Sequence, residues 1–333
     1  MAWPNHIKDG EYLSKILVTG GLGLIGHNVV SKLENLGHAI TIVDNKTSYG
    51  LIPDDELYYL MSERIKKIKT RDIFNENISD FVIDEIISDV RPEIIIHLAS
   101  FPRQKVVNVN PREGSRTMSE GLLNLLELAK KHKVRRFVYI SSSMVYGDFT
   151  DDVTEDAVCK PQGQYGIMKL AGEWLVKDYT RSCNLEHTII RPSAVYGPLD
   201  VEDRVISKFI ISALRGQTLK VNGANETLDF TYVDDAATGI VAASLSGNSI
   251  NKTYNITKSH SRTLKYAAEL AVNLAGKGSI EVRDKDADFP SRGALNIDAA
   301  KQDFGFDPKV DVEEGFQKYH DWIINSPYWQ SKL

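Results

Sequence analysis

The sequence predicts an α/β protein built on a doubly wound parallel sheet, with a smaller C-terminal lobe. Three observations predict it. Short apolar runs without polar alternation recur, as at 16–18 (ILV) and 94–98 (IIIHL), and strands buried on both faces of a parallel sheet read this way. Amphipathic helical stretches separate them at a regular rhythm, the pattern of right-handed βαβ units. The first run, KILVT, leads into glycines at Gly20, Gly23 and Gly26 and then a helical pattern closed by Gly37.

Strand, glycine turn and helix aim free backbone N–H groups at a phosphate. Side chains would block that approach, so the geometry needs glycine. The next strand, 39–43, ends in Asp44, about 20 residues past the glycines. A carboxylate there accepts hydrogen bonds from an adenosine ribose and repels a 2′-phosphate, which favours NAD over NADP. The plain alternative is an Asp44 that caps a turn. The first half therefore reads as a Rossmann-type NAD-binding unit.

A chain of 333 residues forms one large α/β domain or two smaller ones. Its 26% charged and 42% apolar residues are ordinary for a globular protein, and its net charge of −5 argues against nucleic acid or an anionic membrane as partner. Cys159 and Cys183 have no metal-ligand spacing and suit a reducing compartment. No run approaches a membrane span, and the opening MAWPNHIKDGEYLS is too polar for a secretory signal, so the cytoplasm is expected.

In chain order, the first 14 residues are a polar lead-in. After Asp44 the chain is rich in Gly, Pro and Asp, and a third strand is expected over 65–69, followed by Asp72. Residues 77–90 read as a helix with Phe81, Val82, Ile86 and Ile87 on one side. Pro92 leads into a fourth strand, in which His97 is expected as a packed core histidine. Residues 119–132 form an amphipathic helix through Leu122, Leu123, Leu126 and Ala129, and 135–141 the fifth strand. A helix over 164–181 and a sixth strand over 185–191 follow. Beyond them the rhythm weakens. Helices are expected over 203–216, 263–274 and 312–324. A strand end with a helix capped by Asp234 or Asp235 is expected over 230–244, and a short strand over 253–257. The NAD-binding domain is expected to span 1–191, with 230–257 returning to it; 192–229 and 258–333 form the substrate-binding lobe. The crevice at the carboxyl ends of the strands should gather Gly23, Asp44, Ser100 and the serines at 141–143.

Tyr165 and Lys169 lie four apart on a predicted helix and share a face. A tyrosine ionises near pH 10, and a neighbouring ammonium lowers that value. Such a pair can take a proton from a sugar hydroxyl while a hydride leaves the same carbon. The spacing recurs at Tyr254/Lys258, in a predicted strand, and at Tyr328/Lys332, at the frayed terminus. Only Tyr165 follows a strand ending in serines within the dinucleotide-binding half.

TGGLGLIG, the VDN at Asp44, RDI at Asp72, HLAS at 97–100, ISSSMVYG and YGIMK together resemble the extended short-chain dehydrogenase/reductase superfamily. Within it the chain is most similar to NAD-dependent nucleotide-sugar epimerases and dehydratases of the UDP-galactose 4-epimerase kind. RPSAVYGP, LDFTYVDD and the stretch from Arg292 extend the likeness over nearly the whole chain. The resemblance implies that Gly20, Gly23 and Gly26 with the backbone of Leu24 and Ile25 take the pyrophosphate of NAD. It places Asp44 and Asn45 on the adenosine ribose, Asp72 and Ile73 at adenine, and Leu98, Ala99 and Ser100 on the nicotinamide side. Counting back four from Tyr146 makes Ser142 the catalytic serine, with Tyr165 as base and Lys169 tuning it while holding the nicotinamide ribose.

Departures from the family pattern narrow the reaction. The dehydratases follow their catalytic Ser/Thr with Asp-Glu, and the decarboxylases keep a Glu; this chain has Ser143 and Met144, which disfavours elimination. Epimerisation at C4 through a 4-keto intermediate, with NAD retained between turnovers, is favoured. A nucleotide-sugar dehydrogenase or reductase, or a 4,6-dehydratase-like enzyme, is the alternative. A non-catalytic NAD-binding sensor is less favoured, because Ser142, Tyr165 and Lys169 are all present. Leu228, Ser193 and Met118 stand where the family often has Arg, Asn and Asn. Arg292 and Arg204 are the candidate clamps on the substrate diphosphate, with Ser193 beside them; a solvated surface charge is the alternative for each arginine. The family also implies a homodimer in which the helices at 119–132 and 164–181 pair with their copies.

Overall fold

In the computed structural model, which describes residues 13–101, 103–287 and 289–333, seven parallel strands form the central sheet. They are β1 (Lys15–Thr19), β2 (Ala39–Val43), β3 (Ile73–Phe74), β4 (Ile94–His97), β5 (Arg136–Ile140), β6 (Glu186–Pro192) and the strand Lys252–Ile256. The spatial order is Lys252–Ile256, β6, β5, β4, β1, β2, β3. The chain runs outward from β1 in one direction and returns to its other side at β4. This reversal opens a crevice at the carboxyl ends of β1 and β4.

Side chains alternate between the two faces of each strand. Ile16, Val18, Ile94, Ile96, Val138 and Ile140 enter one buried cluster, where the helices Leu24–Asn35 and Val233–Leu245 pack. Leu17, Ile95, Phe137 and Tyr139 enter the opposite cluster, against Val82–Val90, Gly121–Lys131 and Gly163–Cys183. Both faces are buried, which is why the strands read as continuous apolar runs. A third core, around Tyr196, Phe230, Phe316 and Trp329, belongs to the later part of the chain. His97 is buried as expected, bonded through Nδ1 to the Thr19 hydroxyl at 2.7 Å.

Several elements differ from expectation. The strand expected at 65–69 is the end of a helix, Asp54–Lys66. Asp54, Asp55 and Glu56 in its first turn and Arg64 and Lys66 in its last complement the helix dipole, so the apolar residues there line a helical face. The strand after β2 is the short β3, beyond Asp72. The helix expected from 77 begins at Val82. Neither Asp234 nor Asp235 caps Val233–Leu245; both lie in its first turn, and Asp235 accepts from the Val310 N–H at 2.8 Å. The parallel pair Thr218–Asn222 and Ser279–Arg283 was not anticipated, because most of its residues face solvent and its partners are far apart in sequence. Apart from Leu13 and Ser14, the polar lead-in lies outside the described residues.

Candidate active site

The crevice holds a cleft of about 600 Å³ with Gly20, Gly23, Leu24, Asp44, Asn45, Leu98, Ala99 and Ser100 in its wall. The glycine turn is too tight for side chains. Gly20 has φ +70°, and a Cβ there would stand 2.6 Å from the Ala99 nitrogen. A Cβ on Gly26 would stand 2.1 Å from the Gly20 carbonyl oxygen. The first turn of Leu24–Asn35 opens beside this wall and carries no acidic residue of its own, so its free N–H groups keep their positive potential for an incoming anion.

Asp44 accepts from the Leu22 N–H at 2.9 Å and the Lys46 N–H at 2.8 Å. Burial raises its pKa, and these two bonds with the nearby Arg64 oppose the rise. Asp44 thus braces the loops on both sides and still faces the cleft. Asn45 lines the cleft too, donating to Asn77 Oδ1 at 2.8 Å. Six expected cofactor residues, Ile25, Gly26, Asp72, Ile73, Tyr165 and Lys169, are not in the wall. Asp72 is exposed, its carbonyl accepting from Ile42 N–H; the Ile73 and Ile25 side chains turn into the core. Glu76, Asn77 and Ile78 occupy that end instead, because β3 is only two residues long and the chain reaches the cleft after it.

Ser142, Tyr165 and Lys169 converge at the end of β5. Ser142 N-caps the short turn Ser143–Val145, accepting from the Met144 N–H at 3.2 Å, and a hydrogen bond joins it to the Tyr165 hydroxyl. Tyr165 packs against the buried cluster of Phe101, Val106, Val107 and Met118, against which Tyr49 and Leu51 of the cleft wall also pack. Lys169 is buried, donates from Nζ to the Ile140 carbonyl at 2.8 Å, and stands 5.9 Å from the Tyr165 ring centroid.

The electrostatics correct one expectation. Burial raises the Tyr165 pKa, and the groups opposing it are Arg204, the Ser142 hydroxyl and Arg292; Lys169 is not among them. Burial also pulls the Lys169 ammonium down to about 7, against the pull of Glu173. Desolvation thus outweighs the expected ammonium–phenolate attraction in the free protein. Arg292 is positioned beside Tyr165, and its Nε is buried with no hydrogen-bond partner among the described residues. Arg204 lines the cleft, its Nε 4.0 Å from Asp200. Ser193 is buried behind the serine turn, where its hydroxyl accepts from Ser143 at 3.1 Å.

Sequence reasoning missed Arg64, which joins the glycine turn to the loop at Leu199 by donating to the Leu22 carbonyl at 2.9 Å and the Leu199 carbonyl at 2.7 Å. No local pattern marks it. It also missed Glu173, although Glu173 follows Lys169 by the same four-residue step that links Lys169 to Tyr165.

Residues 16–257 match the family model described as the NAD dependent epimerase/dehydratase family. The chain belongs to that family. Its cofactor is NAD, and the glycine cradle, the uncompensated helix N-terminus and the Asp44 carboxylate fit that group. A dTDP-glucose 4,6-dehydratase of Neisseria meningitidis is 30% identical, over 96% of each chain. The structure of UDP-glucose 4-epimerase from Thermotoga maritima with UDP-glucose is similar at 26% identity, covering 96% of this chain and 100% of that one with a TM-score of 0.83. That of UDP-glucuronic acid 4-epimerase from Bacillus cereus, in complex with UDP-glucuronic acid and NAD, is similar at 26% identity, 92% and 98% coverage and a TM-score of 0.84.

Proposed function

We propose that this member of the family is a nucleotide-sugar epimerase acting at C4 through a 4-keto intermediate. The observation that carries the reading is the meeting of Ser142, Tyr165 and Lys169 beside the dinucleotide cleft, next to a turn whose following residues are Ser143 and Met144. Ser143 is engaged with Ser193, and Met144 is buried and has no acid–base group, so the turn supplies nothing to expel water from C5 and C6. The relatives that act on UDP-glucose and UDP-glucuronic acid as 4-epimerases support the class of substrate.

When bound, NAD supplies the two-electron acceptor and donor. Gly20, Gly23 and Gly26 with the backbone of Leu24 and Ile25 hold its pyrophosphate, Asp44 and Asn45 its adenosine ribose, and Leu98, Ala99 and Ser100 the nicotinamide side. Tyr165 takes the C4 hydroxyl proton and returns it, while Ser142 bonds the same oxygen. Arg204 and Arg292 favour the phenolate that burial disfavours. Arg292, with a buried donor unspent, receives the nucleotide diphosphate. Arg204 is assigned to the same substrate end, and its place in the cleft wall also puts it within reach of the cofactor.

Residues 1–191 with 230–257 are read as the NAD-binding domain and the remainder as the sugar-binding lobe. Leu123, Ile167 and Trp174 are 44%, 52% and 65% exposed on Gly121–Lys131 and Gly163–Cys183, which supports a homodimer through those two helices and their copies. Two free, part-buried cysteines suit the cytoplasm. Among the described residues, no helix is long and apolar enough to cross a membrane.

The test is incubation with UDP-, GDP-, CDP- and dTDP-sugars, with products followed by NMR in deuterated water. Interconversion at C4 without solvent deuterium supports the reading. Deuterium at C3 or C5, loss of water, or net NADH would each replace it with another reaction on this scaffold.

A further inference from the structure

Glu173 lies one helical turn beyond Lys169, on the face of Gly163–Cys183 that also carries Tyr165. It is 1% exposed and pairs with Arg191, 3% exposed at the end of β6. The pair is two-pronged: Arg191 Nε meets Glu173 Oε1 at 2.9 Å, and its terminal nitrogen meets Oε2 at 2.6 Å. Each partner also grips one end of the turn that carries Ser142. The Ser141 hydroxyl donates to Glu173 Oε1 at 2.5 Å. The other terminal nitrogen of Arg191 donates to the Tyr146 hydroxyl at 2.8 Å, and that hydroxyl donates to Asn255 Oδ1 at 2.8 Å.

Two charges this deeply buried are costly to desolvate, and a packed apolar pair of similar volume would commonly serve stability as well. What the ion pair adds is direction. It fixes both ends of a six-residue turn, Ser141 to Tyr146, against the helix bearing Tyr165. We propose that Glu173 and Arg191 are positioning residues of the reaction: together they clamp the Ser141–Tyr146 turn so that the Ser142 hydroxyl stays in register with Tyr165. This rests on the assignment of Ser142 and Tyr165 above.

The same carboxylate acts on Lys169. The groups around that ammonium are Tyr165 and Glu173 on its own helix, Tyr139 on β5 and His97 on β4. His97 is kept neutral, its pKa pushed down to about 3 by burial and by Lys169, so Glu173 is the anion among them. Removing its charge makes Lys169 easier to deprotonate.

The experiment uses the full chain, Glu173→Gln, and a charge-neutral pair, Glu173→Gln with Arg191→Gln, which removes the unmatched Arg191 charge if the single variant fails to fold. Lysine labelled with ¹³C at Cε, with the Lys169→Met spectrum identifying the resonance, follows the Lys169 titration by NMR without any sugar. Both variants are expected to lower kcat at least tenfold with KM changed less than threefold, to retain NAD, and to move the Lys169 titration to lower pH. Unchanged kcat and an unmoved titration in a folded variant, with only a lower Tm, would make the pair merely structural and overturn the proposal. A titration shifted in the variants, when the wild type turns over no nucleotide sugar, would instead sink the reaction assigned above and leave the Glu173–Lys169 coupling standing.

Discussion

Lys169 donates its ammonium to the Ile140 carbonyl at 2.8 Å rather than to the hydroxyl of Tyr165, one turn away on the same helix. The groups that favour the Tyr165 phenolate are Arg204, Ser142 and Arg292, while Lys169 is fixed by the end of β5 as a buried charge.

That charge is precarious, because burial brings the Lys169 pKa down from 10.5 to about 7. Turnover that needs the ammonium is expected to fall as the pH rises through about 7. A kcat profile that stays flat to pH 9 would contradict this. The same shift bears on stability. Between about 7 and 10.5 the folded chain binds fewer protons here than the unfolded chain, so stability rises with pH across that window and the full penalty applies below it. Lys169→Met is expected to raise Tm at pH 6 by about 2–4 °C, with the gain fading by pH 10, and to abolish turnover.

Gly26→Ala drives a methyl to 2.1 Å from the Gly20 carbonyl and 2.8 Å from the Gly21 Cα, both backbone atoms. It is expected to cost about 1–3 kcal/mol or more and to weaken NAD binding at least tenfold. Gly247→Ala meets nothing within 4 Å and should stay within about 0.5 kcal/mol of wild type. Calorimetry of both variants with and without NAD checks the contrast; equal effects would place the constraint outside the turn.

Asp44→Asn leaves one of two bonded N–H groups, those of Leu22 and Lys46, facing an amide that cannot accept from both. A loss of about 1–3 kcal/mol in stability follows. NAD affinity should fall at least tenfold, and NADP affinity less, because the repulsion of a 2′-phosphate is removed as well. Titration calorimetry with both dinucleotides measures the ratio, and an unchanged ratio would free Asp44 of the ribose role.

Trp174→Lys with Leu123→Lys places charges on the two exposed helices proposed to meet their copies. Sedimentation should convert a dimer to a monomer with the NAD site intact. A wild-type chain that sediments as a monomer, or a double variant that still dimerises, would put the interface elsewhere.

Much of this was legible in the sequence because it is local. The strand–glycine–helix turn, Asp44 at the end of β2 and the Tyr165–Lys169 step each occupy one element or one junction. What was not legible is long-range. Arg64 reaches a loop 135 residues away, and Glu173 reads as one more helical carboxylate until Arg191 is brought beside it. The sign of the Tyr165 shift was missed for a related reason: spacing gives the neighbour, but burial, which decides the balance, depends on the distant cluster of Phe101, Val106, Val107 and Met118 against which Tyr165 packs. The misplaced third strand has a simpler origin, since the apolar residues near 65 suit either period and the charges at the two ends of Asp54–Lys66 decide for a helix.

The most direct test of the central claim is Tyr165→Phe, assayed for C4 interconversion of the nucleotide sugar that wild type turns over, with bound NAD and Tm measured on the same sample. The expected result is a kcat lower by about 10²–10⁴ with NAD retained and folding intact. Turnover at the wild-type rate in that variant would mean that another group moves the proton.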